Sequence, residues 1–536
     1  MKNQFYYILI CIASLTAATG CKKFLVHDNP TEITDDKWWN TEQDAANALD
    51  VLYGGIDNGT AGPGKQLFYF SALTDENVVR TDSKGDYELG SKGQFQTDWG
   101  VAEVYWTSDY VKIRQANRFL ENIERVYIAD ASTKNRYKYE AKAIRAYLHM
   151  QLLMLYGGVP ILTSSLAPNE SAVKRNTADE VYNFVVAELS EAAIHLPGNI
   201  PSNVYSNTDN YRMSYGACWA LISRLALYVK KYDIARDAAQ KVINSQVFQL
   251  YRSTVPANSY GDLFNYNGQL NNERILFSRS GATDAWNSLA PYGMGGITTL
   301  SPTAALVNTY ETKQGKVLSE LGADSLSIYQ NDPNYNNNRD PRLTASVLLP
   351  KQTFGGYVLD PFNAASPDKI GNQFATATGY WQKKYLDTRD RNGIRTLDFV
   401  LFRYAEVLLN YAEAQVELGQ WTDTKILTYL NDIRSRAGMP NVNVSVYNNQ
   451  DKLRDLVRRE RRVELAFEGQ RFFDIRRWGI LGNVMNGAVF GANNPDTKTP
   501  VLVETRSTNA SRDLIWPIPR PEMIANPNMV QNPQYQ

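Results

Sequence analysis

Histidine and cysteine are scarce here, three of each in 536 residues. His27, His149 and His195 stand far apart, and Cys11 and Cys21 both lie near the N-terminus, which leaves Cys218 alone in the body of the chain. That spacing excludes an internal disulfide and a cysteine-based zinc site. His149 sits in the apolar run AYLHMQLL and His195 beside Pro197, so both read as structural. Cys218, in GACWALISRLALY, reads as a buried small hydrophobe. HExxH, Walker and GxSxG motifs are missing, so metalloprotease, nucleotide-hydrolase and serine-hydrolase chemistry lacks its residues. An excess of one charge is missing too: 56 basic residues balance 56 acidic ones. A nucleic-acid partner or an anionic membrane surface therefore has no electrostatic footprint. No apolar run after the N-terminus reaches membrane-spanning length.

What the chain does have is aromatic material, with 33 tyrosines and 10 tryptophans. At the N-terminus, Lys2, an apolar stretch from Phe5 to Leu15 and the small residues Ala17-Ala18-Thr19-Gly20 lead to Cys21. The pattern reads as a signal peptide over residues 1–20 and resembles a bacterial lipobox, with Ala18 where leucine is usual. Cys21 is then the lipid attachment point (diacylglycerol and palmitate), and an acylated N-terminal cysteine passes the threshold for stable anchoring.

Helical periodicity concentrates at the two ends of the mature chain. Residues 101–128, 134–157, 177–196, 212–230 and 232–246 read as helices in the N-terminal part, 21–250. Thr177 and Glu180 have capping-box spacing. In the C-terminal part, 251–536, the helical pair 398–418 and 421–437 has the look of a tetratricopeptide hairpin, as does 212–246. Residues 251–395 are rich in Asn, Gly, Pro and Ser, and read as long ordered loops with a few short strands. The tail, LIWPIPRPEMIANPNMVQNPQY, is too proline-rich for a helix and reads as extended chain. The expected class is mainly α: a tetratricopeptide-like scaffold of helical pairs with a large loop-rich region.

The segment 453–479, LRDLVRRERRVELAFEGQRFFDIRRWG, carries the densest charge. Read as one helix, Arg454, Arg458 and Arg462 form a column, and Glu460, Glu464 and Glu468 form another. Like charges four apart weaken an isolated helix. The columns are displaced by about 200° of helical rotation and cannot neutralise each other. Interleaved Val457, Val463, Leu465, Phe467, Phe472, Ile475 and Trp478 point to burial, so the charges need partners from elsewhere in the fold.

Taken in order, CKKFLVHDNPTEIT, IRQANRFLENI, YEAKAIRAYLHMQLLMLYGGVPI, RNTADEVYNFVVAELSEAAIHLP, RDPRL, YAEVLLNYAEAQVELG, RRERRVELAFEGQRFFDIRRWG and WPIPRPEMIANPNMVQNPQY resemble the SusD/RagB outer-membrane nutrient-uptake lipoproteins of the Bacteroidetes. The resemblance runs along nearly all of the mature chain. It implies a lipid-anchored protein of the outer membrane, facing the exterior, that caps a TonB-dependent (SusC-like) barrel transporter. It also implies capture of a nutrient, an oligosaccharide in most members and a peptide in some, without catalysis or a cofactor. Lys22-Lys23 stand where surface-exposed relatives often carry acidic residues.

Sugar rings stack their C–H faces on aromatic rings while their hydroxyls need amide, carboxylate or arginine partners. Two stretches have that mix: 75–99, with Asp75, Asn77, Arg80, Tyr87 and Trp99, and 283–292, with Asp284, Trp286, Asn287 and Tyr292. In sequence order they resemble the places where family members put ligand-contacting aromatics. The expectation is that Trp286→Ala weakens binding without loss of fold. Trp106, Tyr110 and Asn117 read as scaffold. No metal site is expected: the Asp332-x-Asn334-x-Asn336 spacing resembles the start of a calcium loop, but Asn337 replaces the turn glycine and Leu343 the final glutamate. A carboxylate-pair glycosidase is the one enzyme class the residue types leave open, and nothing in the sequence singles out the pair.

Overall fold

The computed structural model describes residues 38–56, 67–170 and 172–536; the signal-like segment and Cys21 lie outside them. The protein is mainly α. Helices α1 (Glu42–Tyr53), α2 (Thr81–Ser91), α3 (Gly100–Asn122), α4 (Ala131–Tyr156), α5 (Ala178–His195), α6 (Tyr215–Tyr228) and α7 (Tyr232–Asn244) make up most of the N-terminal part. Short helices α8 (Ala285–Leu289), α9 (Ala304–Val307) and α10 (Ala323–Asn331) punctuate the loop-rich part. Helices α11 (Tyr404–Glu417), α12 (Thr424–Arg436), α13 (Gln450–Glu464) and α14 (Gln470–Arg477) follow.

Neighbours in sequence are neighbours in space: α3 packs on α4, α4 on α5, α5 on α6, α6 on α7, α7 on α11, and α11 on both α12 and α13. Each helix buries one face and needs the next to cover it, the logic of stacked helical pairs. The ends are set locally. Asp130 accepts from the backbone of Ser132 and Thr133 to start α4, and Gly157, at φ +77°, stops it. Thr177 and Glu180 close a capping box on α5.

Strands are short and antiparallel. β1 (Asn77–Val79) pairs with β3 (Leu300–Pro302), and β2 (Arg274–Ser278) with β6 (Phe399–Arg403). β4 (Thr353–Phe354) pairs with β5 (Tyr357–Val358), and β7 (Gly487–Asn493) with β8 (Pro500–Arg506). Residues 399–403 are therefore strand, where helical periodicity predicts the start of a helix. Phe399 to Arg403 are buried on both faces, a run that periodicity alone does not distinguish from helix. The tail is mostly extended, with a short helix over Arg520–Ala525, and it threads into the centre. Trp516 is fully buried, donates its backbone N–H to Leu155, and meets Phe70, Trp99, Tyr105, Tyr156 and Phe472 edge-on.

The segment 453–479 is two helices, not one. Leu465 ends α13, Phe467 and Gly469 take left-handed φ of +64° and +78°, and α14 begins at Gln470. A Cβ on Gly469 would lie 2.6 Å from Leu67 Cδ1, so the break is also a close approach. Glu468 thus leaves the column that a continuous helix would have given it. The charges find tertiary partners. Arg403, fully buried, donates to Glu273, Glu464 and Glu468. Arg342 closes on Asp340, Glu460 and Glu464, while Arg436 reaches Glu273 and Glu464. Arg454 and Arg458 both reach Glu417.

Candidate ligand-binding surface

The β1–β3 ladder, with Asn77 opposite Pro302 and Val79 opposite Leu300, brings the stretch after residue 75 beside the stretch after residue 283. Arg80 follows β1 and donates its backbone N–H to Thr299 and its guanidinium to the Ile297 carbonyl. Its guanidinium carbon sits 4.7 Å from the centre of the Phe374 ring, a cation–π distance. Tyr292 packs on the same ring, its centroid 5.5 Å from that of Phe374.

Asp368, fully buried, organises this surface. Its carboxylate accepts from the backbone N–H of Tyr292 (2.7 Å) and Gly293 (3.1 Å) and from the Tyr357 hydroxyl (2.7 Å). Gly293 is required there, because a Cβ would lie 2.3 Å from the Tyr357 hydroxyl. Burial, and then the bond to Asp368, pushes the Tyr357 phenol up to about 12, so it stays a neutral donor. Tyr357 and Phe354 flank Gly355-Gly356, both at positive φ, as a two-residue hairpin requires. Phe354 stacks on Trp286 at 6.2 Å and 27°. Tyr292 is 43% exposed and Val358 55%, with Arg80, Phe354, Tyr357 and Phe374 half-buried around them. The result is an aromatic surface with one guanidinium and two phenols.

Of the residues singled out from sequence, Arg80 and Tyr292 meet on this surface. Asp284 and Asn287 are half-buried beneath it and bonded to each other at 2.9 Å. The others are in the core. Trp286 is 2% exposed and its ring is covered. Trp99 is buried against Phe95 and Trp516 and donates its indole N–H to the Asp86 carbonyl. Tyr87 is buried against Tyr69. Asn77 donates to Ser71 and Gln382 inside the protein. Asp75 is clamped by Arg471 (2.8 and 3.0 Å) and Arg462 (2.9 Å). Burial opposes ionisation of Asp75, but the two guanidiniums outweigh it and hold the carboxyl well below the usual range. Against the expectation that they contact ligand, these five are buried: the three rings are covered by protein, and the Asp75 carboxylate, on the wall of a separate cavity, is engaged by its two arginines. Phe354, Tyr357, Asp368 and Phe374 escape sequence reasoning, although the Gly-Gly pair between two aromatics is a hairpin signal.

His149, His195 and Asn117 are engaged by protein. His149 is buried, bonded to Arg145 and Leu162, and its imidazole is pushed down to about 4 by burial. His195 stacks on Tyr139 at 3.9 Å. Asn117 donates to the carbonyls of Leu162 and Ser164. Pro333–Asn338, within the calcium-like spacing, forms a 3₁₀ turn. Among the described residues no group of three or more His, Cys, Asp or Glu could hold a metal ion. No described helix is long and apolar enough to cross a membrane.

Known proteins share this architecture. The profile of the SusD family matches residues 254–535, and a second one, described as starch-binding associating with outer membrane, matches residues 31–227. SusD-like protein P38 of Formosa agariphila is 26% identical, with 100% of this chain and 99% of the relative covered. A SusD-like carbohydrate binding protein from Bacteroides fragilis superposes with a TM-score of 0.81 at 26% identity, over 92% of this chain and 99% of that one. A second SusD-like protein from the same species gives 0.80 at 26%, over 93% and 98%. The chain belongs to the SusD family.

Proposed function

We propose that this protein is a non-catalytic capture lipoprotein that binds an oligosaccharide on the Tyr292–Phe374–Tyr357 surface. The carrying observation is that surface: ring faces held by a buried carboxylate, with Arg80 beside them. Aromatic faces take the apolar side of a pyranose, while the phenols, guanidinium and backbone groups take hydroxyls. The carbohydrate-binding description of the Bacteroides fragilis relative and the starch-binding description of the N-terminal match support the ligand class. Acylation at Cys21 anchors the chain to the outer membrane, facing outward, and the bound glycan passes to a partner TonB-dependent barrel transporter.

Isothermal titration against a panel of neutral glycans and peptides, with product analysis in parallel, tests this reading. Saccharide binding without turnover is expected. Binding of peptides alone would move the protein to a peptide-capturing role, and hydrolysis of a bound glycan would end the non-catalytic reading.

A further inference from the structure

A cavity of about 640 Å³ lies between α9, α10, the β7–β8 hairpin and the loop 349–362. That volume falls in the range of small-molecule sites, about 300–1,000 Å³. Arg80, Tyr292, Tyr357, Phe354 and Phe374 do not line it. The loop 361–380 serves both places, with Phe374 on the aromatic surface and Phe362 and Tyr380 on the cavity wall.

Arg339 is the unusual member of that wall. It is 2% exposed, and its Nη2 donates to the carbonyls of Val307 (2.7 Å) and Tyr310 (2.8 Å). Its Nε has no hydrogen-bond partner. The carboxylate next to it in sequence, Asp340, is committed to Arg342. Burial pushes the Arg339 guanidinium down to about 10, so it remains a cation at neutral pH. A buried cation without a carboxylate is costly, whereas Arg342 and Arg403 each close on several. The other charges of the wall are committed: Lys351 pairs with Asp360, Arg506 with Glu504, and Asp75 with Arg462 and Arg471. Asp332 sits at the C-terminal cap of α10, and Lys498 is exposed on the hairpin turn. Phe362, Tyr380 and the partly exposed Phe490 supply ring faces, and Asn308 and Gln330 supply amides.

We propose that this cavity binds a saccharide unit carrying an acid group, a uronate or a sulfate ester, whose oxyanion completes the Arg339 guanidinium. The ring of the same unit lies against the aromatic wall, and the amides take its hydroxyls. The site rests on the saccharide-capture reading but is separate from the Tyr292 surface, so the ligand is held at two places.

Titration of the full chain in detergent with digalacturonate, a monosulfated galactose disaccharide and neutral galactobiose tests it. At least one acid-bearing disaccharide should bind at least about tenfold more tightly than the neutral one, as charge-assisted bonds to arginine predict. Arg339→Gln and, should that variant fail to fold, the exposed Lys498→Glu should each remove that preference, while Tyr292→Ala, which weakens the neutral ligand, does not remove it. The two acid arms decide between carboxylate and sulfate. Equal affinity for galactobiose, no binding of either acid, or a preference that follows Tyr292→Ala and not the cavity variants would overturn the proposal. If neutral glycans still bind at Tyr292, only this inference fails; if no saccharide binds anywhere, the capture reading fails with it.

Discussion

Trp286 and Phe354 lie nearly parallel, ring centroids 6.2 Å apart, yet only Phe354 reaches the surface. Trp286 is the buried floor on which the aromatic surface is laid. Trp286→Ala therefore empties a core position, in contrast to the binding-only effect expected from sequence. A loss of about 3–5 kcal/mol is expected, as for other buried aromatic truncations. Urea denaturation followed by tyrosine and tryptophan fluorescence measures it; a midpoint unchanged from wild type would return Trp286 to the list of direct ligand contacts.

Tyr292→Ala is the cleaner probe, because the side chain is 43% exposed. Its removal should leave stability within about 0.5 kcal/mol and weaken neutral-glycan binding by about tenfold or more. Asp368→Asn should weaken binding without removing any ring. Its carboxylate accepts from three donors, and an amide must present N–H to at least one of them. Titration of both variants, with thermal melts alongside, checks the pair. Undiminished affinity in Tyr292→Ala would exclude this surface as the capture site.

Much of the scaffold is legible in the sequence because α4, α5, α6 and α7 carry local signals: Asp130 and Thr177 as caps, Gly157 as a stop, and apolar residues at helical spacing. Residues 399–403 mislead because a strand buried on both faces has no alternation to read. The break in 453–479 is equally silent, since Phe467 is an unexpected residue for left-handed φ and only Gly469 announces a turn. The surface was half legible. Arg80 and Tyr292 stand in aromatic, polar loops, but exposure of a tryptophan is decided by chain that arrives from far away. Trp99 is covered by Trp516 and Trp286 by Phe354. Asp368 gives no local sign that it will hold Tyr292 and Tyr357 together.

Arg403 joins three acidic side chains from two parts of the chain, Glu273, Glu464 and Glu468, and all four groups are buried. Arg403→Met keeps much of the volume and removes the guanidinium those carboxylates share, leaving Glu273 and Glu464 with Arg436 and Glu468 with Lys384, so it should cost about 3–5 kcal/mol, the range for breaking a buried pair. The cluster also sets an acid limit. Burial opposes ionisation of Glu464, but Arg436, Arg403 and Arg342 outweigh it and hold its carboxyl below the ordinary range. A depressed folded-state value gives stability that is present above the unfolded value, about 4.3, and is lost as pH falls through the folded one. Wild type should therefore lose stability steeply below about pH 4.3, and Arg403→Met less steeply, which a series of urea midpoints across pH would show.

Glu76 titrates in the opposite sense. It is buried beside Asp75, accepts from the Phe467 N–H through Oε2, and has no partner at Oε1. Burial outweighs the nearby Arg462 and Arg471 and raises its carboxyl from 4.5 to about 8. The folded protein holds this proton where the unfolded chain has released it, so the stability it contributes is full below about pH 4.3 and drains away as pH rises toward 8. Glu76→Gln mimics the protonated acid, keeps an acceptor for Phe467 and cannot ionise. The variant should exceed wild type by a margin that is smallest near pH 5 and grows up to pH 8, with a constant advantage above that. Urea midpoints of both proteins from pH 5 to 9 read the difference directly. A difference that stays flat across the range would mean that Glu76 ionises in the folded protein as it does in the unfolded chain.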